Sequence, residues 1–250
     1  MLHKKKVPLP NSFYRYRGEL EAELRSVLGE STSPLHVMMR YHLGWVDEQG
    51  RDQETPGGKL LRPTLCLLAC EAVGGDWHSA LPAAAAIELT HNFSLIHDDI
   101  QDRGWERRHR PAVWRVWGEA QGINAGDAMY AMAQLALLRL EERGIPQEKV
   151  ILVSHEINQT TLQLCEGQCL DIDYESYLDV SIDNSLEMIS KKTASLFECS
   201  LYFGALLGTD NQIQISHLRS FGRNLGMAFQ MQDDLLGIWE KEEVTGKSPY

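Results

Sequence analysis

Strand patterning is nearly absent from this sequence of 250 residues. Polar–apolar alternation hardly occurs and β-branched residues do not cluster, which excludes sandwiches and barrels. No apolar run approaches the roughly 20 residues of a membrane span. The longest candidate, around 125–138, is broken by Gly126, Asp127 and Gln134. Glycine (20) and proline (9) are not enriched, which excludes collagen-like and linker-like chains. The start carries Lys4-Lys5-Lys6 but no apolar stretch behind it, so no secretory signal is expected, and residues 1–11 read as a flexible tail. Basic residues are in deficit, 24 Lys+Arg against 35 Asp+Glu, for a formal charge of −11. Such a chain repels nucleic-acid backbones overall, yet it can take a phosphorylated substrate if metal ions lie between them. Cysteine is scarce and odd in number, five in all, which fits a reducing cytoplasm. Cys66/Cys70 and Cys165/Cys169 are each one helical turn apart. Each pair reads as half a zinc site or, more plainly, as small apolar residues.

What remains is helix. Apolar residues recur at three- and four-residue spacing over 12–28, 34–48, 60–73, 79–102, 113–120, 123–143, 146–170, 183–207 and 212–240. Residues 49–58 read as a loop, and 103–111 as a basic loop ending at Pro111. The expectation is a single all-α domain over 1–250, a bundle of about nine or more helices.

Two acidic clusters interrupt otherwise apolar helices. Asp98 and Asp102 stand at i and i+4, so a helix puts both carboxylates on one face, with Asp99 beside them. Hard oxygen ligands with room for water and phosphate suit Mg²⁺. Asp233 and Asp234 form a second pair, and carboxylates facing each other across a bundle are a known way to build a metal site. A solvated helix end is the plainer alternative, weakened by the apolar run before Asp98. Two basic groups complement the acids. Gly57-Gly58-Lys59-Leu60-Leu61-Arg62-Pro63 opens a helix whose N-terminus, Lys59 and Arg62 suit one anion. Arg103, Arg107, Arg108 and Arg110 follow the first acids, and guanidinium forks match phosphate oxygens.

Taken in order, these motifs resemble the trans-isoprenyl diphosphate synthase (polyprenyl synthetase) family. They are Gly58-Lys59-x-x-Arg62-Pro63, Glu88-Leu-Thr-His91-Asn-Phe-Ser-Leu-Ile-His97-Asp98-Asp99-x-x-Asp102, Arg107-Arg108 and Gln230-x-x-Asp233-Asp234. Gly167-Gln168 with Asp171, Lys192-Thr193 and Gly246-Lys247 also fall where that family has such residues. The resemblance implies the isoprenoid synthase bundle and condensation of isopentenyl diphosphate with an allylic diphosphate. It implies Mg²⁺, three ions with substrate bound and Mn²⁺ as a substitute, held by Asp98, Asp102 and Asp233, with Asp99, Asp234 and Lys192 also in the catalytic group. Arg107, Lys192 and Lys247 would hold the allylic diphosphate; Gly58, Lys59, Arg62, His91 and Arg108 would hold isopentenyl diphosphate; Thr193 and Gln230 would also bind substrate. Phe93, five before Asp98, and the small Ser94 resemble the arrangement of synthases making C20 geranylgeranyl diphosphate, with C15 farnesyl diphosphate next. A homodimer in the cytoplasm, without nucleic acid or a transmembrane segment, completes the expectation.

The sequence departs from the family in two places. Gly237 replaces the third acid of the second motif. The family usually continues for several helices past the position of Tyr250, so a C-terminally shortened bundle is expected. Two rivals remain. A terpene cyclase would ionise a prenyl diphosphate without a second diphosphate site, and Lys59, Arg62, His91 and Arg108 argue against it. A non-catalytic regulatory subunit should lose the first acids, which are all retained.

Overall fold

Helix follows helix through the computed structural model, which describes residues 11–53, 58–177 and 179–239. The helices are α1 (Asn11–Tyr14), α2 (Arg17–Leu28), α3 (Pro34–His42), α4 (Leu61–Ala72), α5 (Leu81–Gln101), α6 (Val113–Trp117), α7 (Glu119–Leu138), α8 (Gln147–Tyr174), α9 (Ile182–Ile189), α10 (Ser195–Gly208) and α11 (Gln212–Trp239). Among the described residues no helix is long and apolar enough to cross a membrane.

Helix α5 is the axis. Every residue from Leu81 to Thr90 is buried, and Ala83 to Ala86 are fully enclosed. Alanine side chains let neighbouring backbones come close, so α4, α7 and α10 all pack on α5. Leu20, Leu24 and Leu28, spaced by four, bury one stripe of α2 in the same core. Each fully buried Leu contributes roughly 1.5–3 kcal/mol of transfer free energy. Helices α4 and α10 meet almost backbone to backbone: a Cβ added at Gly204 would lie 2.0 Å from the Cys66 carbonyl oxygen. That contact seats α4 on α10, and the basic cluster stands at the start of α4.

The structure corrects the sequence reading in three places. The helix expected over 34–48 ends at His42, and the chain then closes a loop through a Val46–Asp52 bridge. The expected basic loop contains a hairpin, β1 (Glu106–Arg107) paired antiparallel with β2 (Arg110–Pro111). Its two turn residues, Arg108 and His109, have φ of 55° and 61°. This is the doubly left-handed turn that matches strand twist and normally selects Asn-Gly, so Arg-His gives no warning of it. Third, the helix expected over 183–207 is broken by a π-turn at Ser190–Ala194, between α9 and α10. Cys66, Cys70 and Cys199 are buried apolar residues, whereas Cys165 and Cys169 are exposed on α8. Burial pushes the Cys70 thiol up to about 11.

Candidate active site

The first acidic motif lies at the C-terminal end of α5, where the buried helix emerges. Asp98 is half-buried and Asp102 is exposed. Burial pushes the Asp98 carboxyl up to about 6; Lys192 opposes that shift and Asp102 adds to it. Among the described residues neither carboxylate has a side-chain hydrogen-bond partner. Asp99 is different. It is 2% exposed and receives the Arg107 guanidinium, whose Nε donates to Oδ1 at 3.0 Å. Asp99, expected in the catalytic group, thus has Oδ1 on Arg107 at the start of the hairpin, while its Oδ2 is buried without a hydrogen-bond partner. Arg107, expected to contact substrate directly, has two of its nitrogens on that carboxylate.

The π-turn joins the first motif to the second. Burial works against the Lys192 ammonium, but its bond to Asp171 and the fields of Asp98 and Asp102 outweigh this and raise its pKa. The next residue, Thr193, donates to Gln230 Oε1 at 2.8 Å, and Gln230 Nε2 donates to Asp234 Oδ1 at 2.7 Å. Lys192, bonded to Asp171 on α8 and in the field of Asp98 on α5, thus stands next to Thr193, which is bonded to Gln230 on α11. Asp233 and Asp234 are exposed. Gly167 makes the junction possible, since a Cβ there would lie 2.3 Å from the Lys192 backbone nitrogen. Gln168 beside it is buried with neither amide atom hydrogen-bonded. Lys247 lies outside the described residues.

Asp98 and Asp102 fit a divalent cation by their donor chemistry. They are hard, open carboxylates one helical turn apart, and burial of Asp98 makes a neighbouring positive charge favourable. Among the described residues no three His, Cys, Asp or Glu side chains form a closed cage. Open positions are what Mg²⁺ needs, because it keeps waters and substrate phosphates in its shell.

A separate cationic cluster lies at the start of α4. Leu60, the residue before the helix, has φ 50° and no side chain caps the first turn. A non-glycine residue in that conformation is uncommon and strained. The early N–H groups of α4 are left without a side-chain cap, as an anion site requires. The Arg62 guanidinium lies over the Phe197 ring at 4.5 Å, and its Nη1 is 3.3 Å from His91 Nε2. Arg62 Nε is buried without a partner. Burial pushes Arg62 down to about 10, and burial and then Arg62 and Arg108 hold His91 well below its usual value, so it is neutral at pH 7. Arg108 reaches in from the hairpin turn to His42 O at 3.4 Å and Asn92 Oδ1 at 3.2 Å. Gly58 packs against the Arg108 guanidinium, and Lys59 is exposed nearby in sequence.

Phe93 and Ser94 are both buried below Asp98. The Phe93 ring turns toward α7, where it meets Tyr130 at 5.2 Å between centroids. Sequence reasoning assigned no role to His42, Glu88 or Asn92. A glutamate and an asparagine four apart inside an apolar run were the available signal, because buried polar groups must be satisfied by one another.

Comparison with known proteins bears on this geometry. The sequence profile of the polyprenyl synthetase family matches residues 44–249. The chain belongs to the polyprenyl synthetase family. It is 44% identical over 227 residues to the (2E,6E)-farnesyl diphosphate synthase of Mycobacterium tuberculosis H37Rv, covering 91% of this chain and 62% of that relative. It is 45% identical over 191 residues to the geranylgeranyl diphosphate synthase of Methanosarcina mazei, covering 76% of this chain and 58% of that one. The chain thus spans about three fifths of the length of these curated relatives. Among solved structures, the polyprenyl synthetase from Streptomyces coelicolor A3(2) superposes with a TM-score of 0.87 at 38% identity, covering 95% of this chain and 69% of that one. The all-α isoprenoid synthase fold expected from the sequence is therefore present.

Proposed function

We propose that the protein is a prenyltransferase joining isopentenyl diphosphate, head to tail and in trans geometry, to an allylic diphosphate. The observation that carries this reading is a pair of unlike anion sites. One has open carboxylates, Asp98 and Asp102, beside Lys192. The other gathers Arg62, His91 and Arg108, with the buried Glu88 behind them hydrogen-bonded to Asn92. The first suits a diphosphate bridged by metal, and the second suits one held directly. Mg²⁺, or Mn²⁺ in its place, held by Asp98, Asp102 and Asp233 would supply the charge that lets the allylic diphosphate depart. Lys192, Thr193, Gln230 and Lys247 would bind the oxygens of that diphosphate. Gly58, Lys59, Arg62, His91 and Arg108 would bind isopentenyl diphosphate and aim its double bond. An Arg–phosphate contact at 4 Å is worth about 4 kcal/mol at an effective dielectric of 20, so a few contacts offset the negative net charge of the protein.

The product proposed is C20 geranylgeranyl diphosphate. Relatives carry both farnesyl and geranylgeranyl names. The C20 reading is supported by Ser94 and Thr90, which follow Asp98 down one face of α5 at roughly 6 and 12 Å along the axis. Both are small, and the bulky Phe93 beside them, packed on Tyr130, is the floor proposed for a channel down that face. A homodimer is proposed as well, supported by apolar side chains exposed on α7 and α8. Scarce cysteines, all free among the described residues, support a reducing cytoplasm.

The test is a product assay on the full-length protein with isopentenyl diphosphate, Mg²⁺ and C5, C10 or C15 allylic primers. The expected product is a C20 diphosphate that disappears with EDTA. A C15 product would correct the length alone. Cyclic hydrocarbon would point to a cyclase, and no reaction with any primer to a regulatory subunit.

A further inference from the structure

Arg107 and Arg108 are neighbours with opposite circumstances. Arg107 is paired with the Asp99 carboxylate. Arg108, held at φ 55°, is met only by neutral oxygens among its hydrogen bonds, the His42 carbonyl and Asn92 Oδ1. No carboxylate is hydrogen-bonded to it; Glu88 and Asp99 act on it only through space, so its N–H groups are not taken up by a charged partner. A carboxylate at either contact would compete with an incoming diphosphate.

The neutral contact at Asn92 is itself determined. Asn92 is fully buried on α5. Its Nδ2 donates to the Glu88 carbonyl oxygen at 2.7 Å and to Glu88 Oε1 at 2.8 Å. Glu88 is 3% exposed. A carboxylate accepts and a backbone carbonyl accepts, so both amide hydrogens face Glu88 and the amide oxygen has to face Arg108. Gly58 completes the enclosure: a Cβ there would lie 2.9 Å from Arg108 Nη2 and 3.7 Å from Glu88 Oε1.

We propose that Asn92, oriented by Glu88, is the positioning residue of the isopentenyl diphosphate subsite, steadying Arg108 through a neutral acceptor so that its charge stays available to the diphosphate. The inference rests on the reading of Arg108 as part of that subsite. Asn92 is not a catalytic residue, because it acts through Arg108.

The experiment measures KM for isopentenyl diphosphate and for the allylic primer separately, in the full-length protein. The double variant Glu88→Gln/Asn92→Asp moves the carboxylate from behind Asn92 onto the Arg108 contact without placing two carboxylates together. It is expected to raise KM for isopentenyl diphosphate about tenfold, the scale of a charged hydrogen bond redirected. Glu88→Gln alone keeps a neutral oxygen on Arg108 and should leave that KM within about threefold. Asn92→Ala, which removes the acceptor, is the second variant and should raise the same KM. In all three the allylic KM should stay within about threefold. The inference is overturned if the double variant binds isopentenyl diphosphate as tightly as Glu88→Gln, if Asn92→Ala leaves that KM unchanged, or if both KM values rise together.

An inactive wild-type protein would overturn the functional reading instead. Metal-free titration with inorganic pyrophosphate would then decide the inference. Binding weakened about tenfold by the double variant supports it, and unchanged binding removes it.

Discussion

Asp98 is the residue on which most of the chemistry depends. Its carboxylate has no hydrogen-bond partner among the described residues, and burial pushes it up to about 6. Such a group is costly to leave without a counter-charge, and a divalent cation meets that need. Asp98→Ala should therefore lower Mg²⁺-dependent turnover by at least about a hundredfold in the product assay. Turnover within a few-fold of wild type would refute the metal assignment. Phe93 makes the complementary case for product length. Its ring is 7% exposed and packs on Tyr130 and His97. Phe93→Ala should lengthen the product by at least one C5 unit and cost about 3 kcal/mol of stability. Chromatography of the products and thermal unfolding read the two effects, and an unchanged product would return Phe93 to ordinary core packing.

At the scale of elements, the junction between α8 and the π-turn is the most sensitive contact. Gly167→Ala would drive a methyl group into the Lys192 backbone. We expect a loss of about 1–3 kcal/mol, seen as a lower Tm, and a larger fall in kcat/KM than the stability loss explains, because Lys192 moves with its backbone. Wild-type activity at a temperature where the variant is folded would show that the approach is not needed. Elements also show what could be read from sequence. Helix α5 was legible because apolar spacing and the Asp98–Asp102 interval are local. The hairpin was not, because Arg108 and His109 adopt left-handed backbone by virtue of the buried partners that hold Arg108, and those partners are distant in sequence. The π-turn was hidden because Ser190–Ala194 holds no glycine or proline to mark a widened turn, so the segment reads as continuous helix. Asn92 was passed over because its role depends on Arg108, sixteen residues away.

For the whole molecule, the fold divides its charge. The formal charge is −11, yet Arg62 and Arg108 gather beside His91, Asn92 and Glu88 along the middle of α5, while Asp98 and Asp102 stand at its C-terminal end. Apolar side chains are exposed on two adjacent helices, with Leu135 and Leu138 on α7 at 53% and 56%, and Ile151 and Leu162 on α8 at 61% and 55%. Large apolar side chains left exposed on neighbouring helices suit an interaction surface, and a second copy of the chain is the occupant proposed here. Equilibrium sedimentation should show a dimer at micromolar concentration, and Leu135→Glu should shift it toward monomer. A wild-type protein that sediments only as monomer would contradict the homodimer.

The π-turn has a consequence for inheritance. Losing one codon inside an ordinary helix rotates everything after it by about 100° and scrambles the packing of all that follows. Residues 190–194 already contain the surplus residue. Losing one codon there would restore a regular helix and leave α9 and α10 in phase with their neighbours. The bundle would survive while Lys192 and Thr193 lost their places. A single in-frame deletion could thus turn a protein of this fold into a folded relative without the Lys192–Thr193 junction, a shorter step than removing its acids one by one.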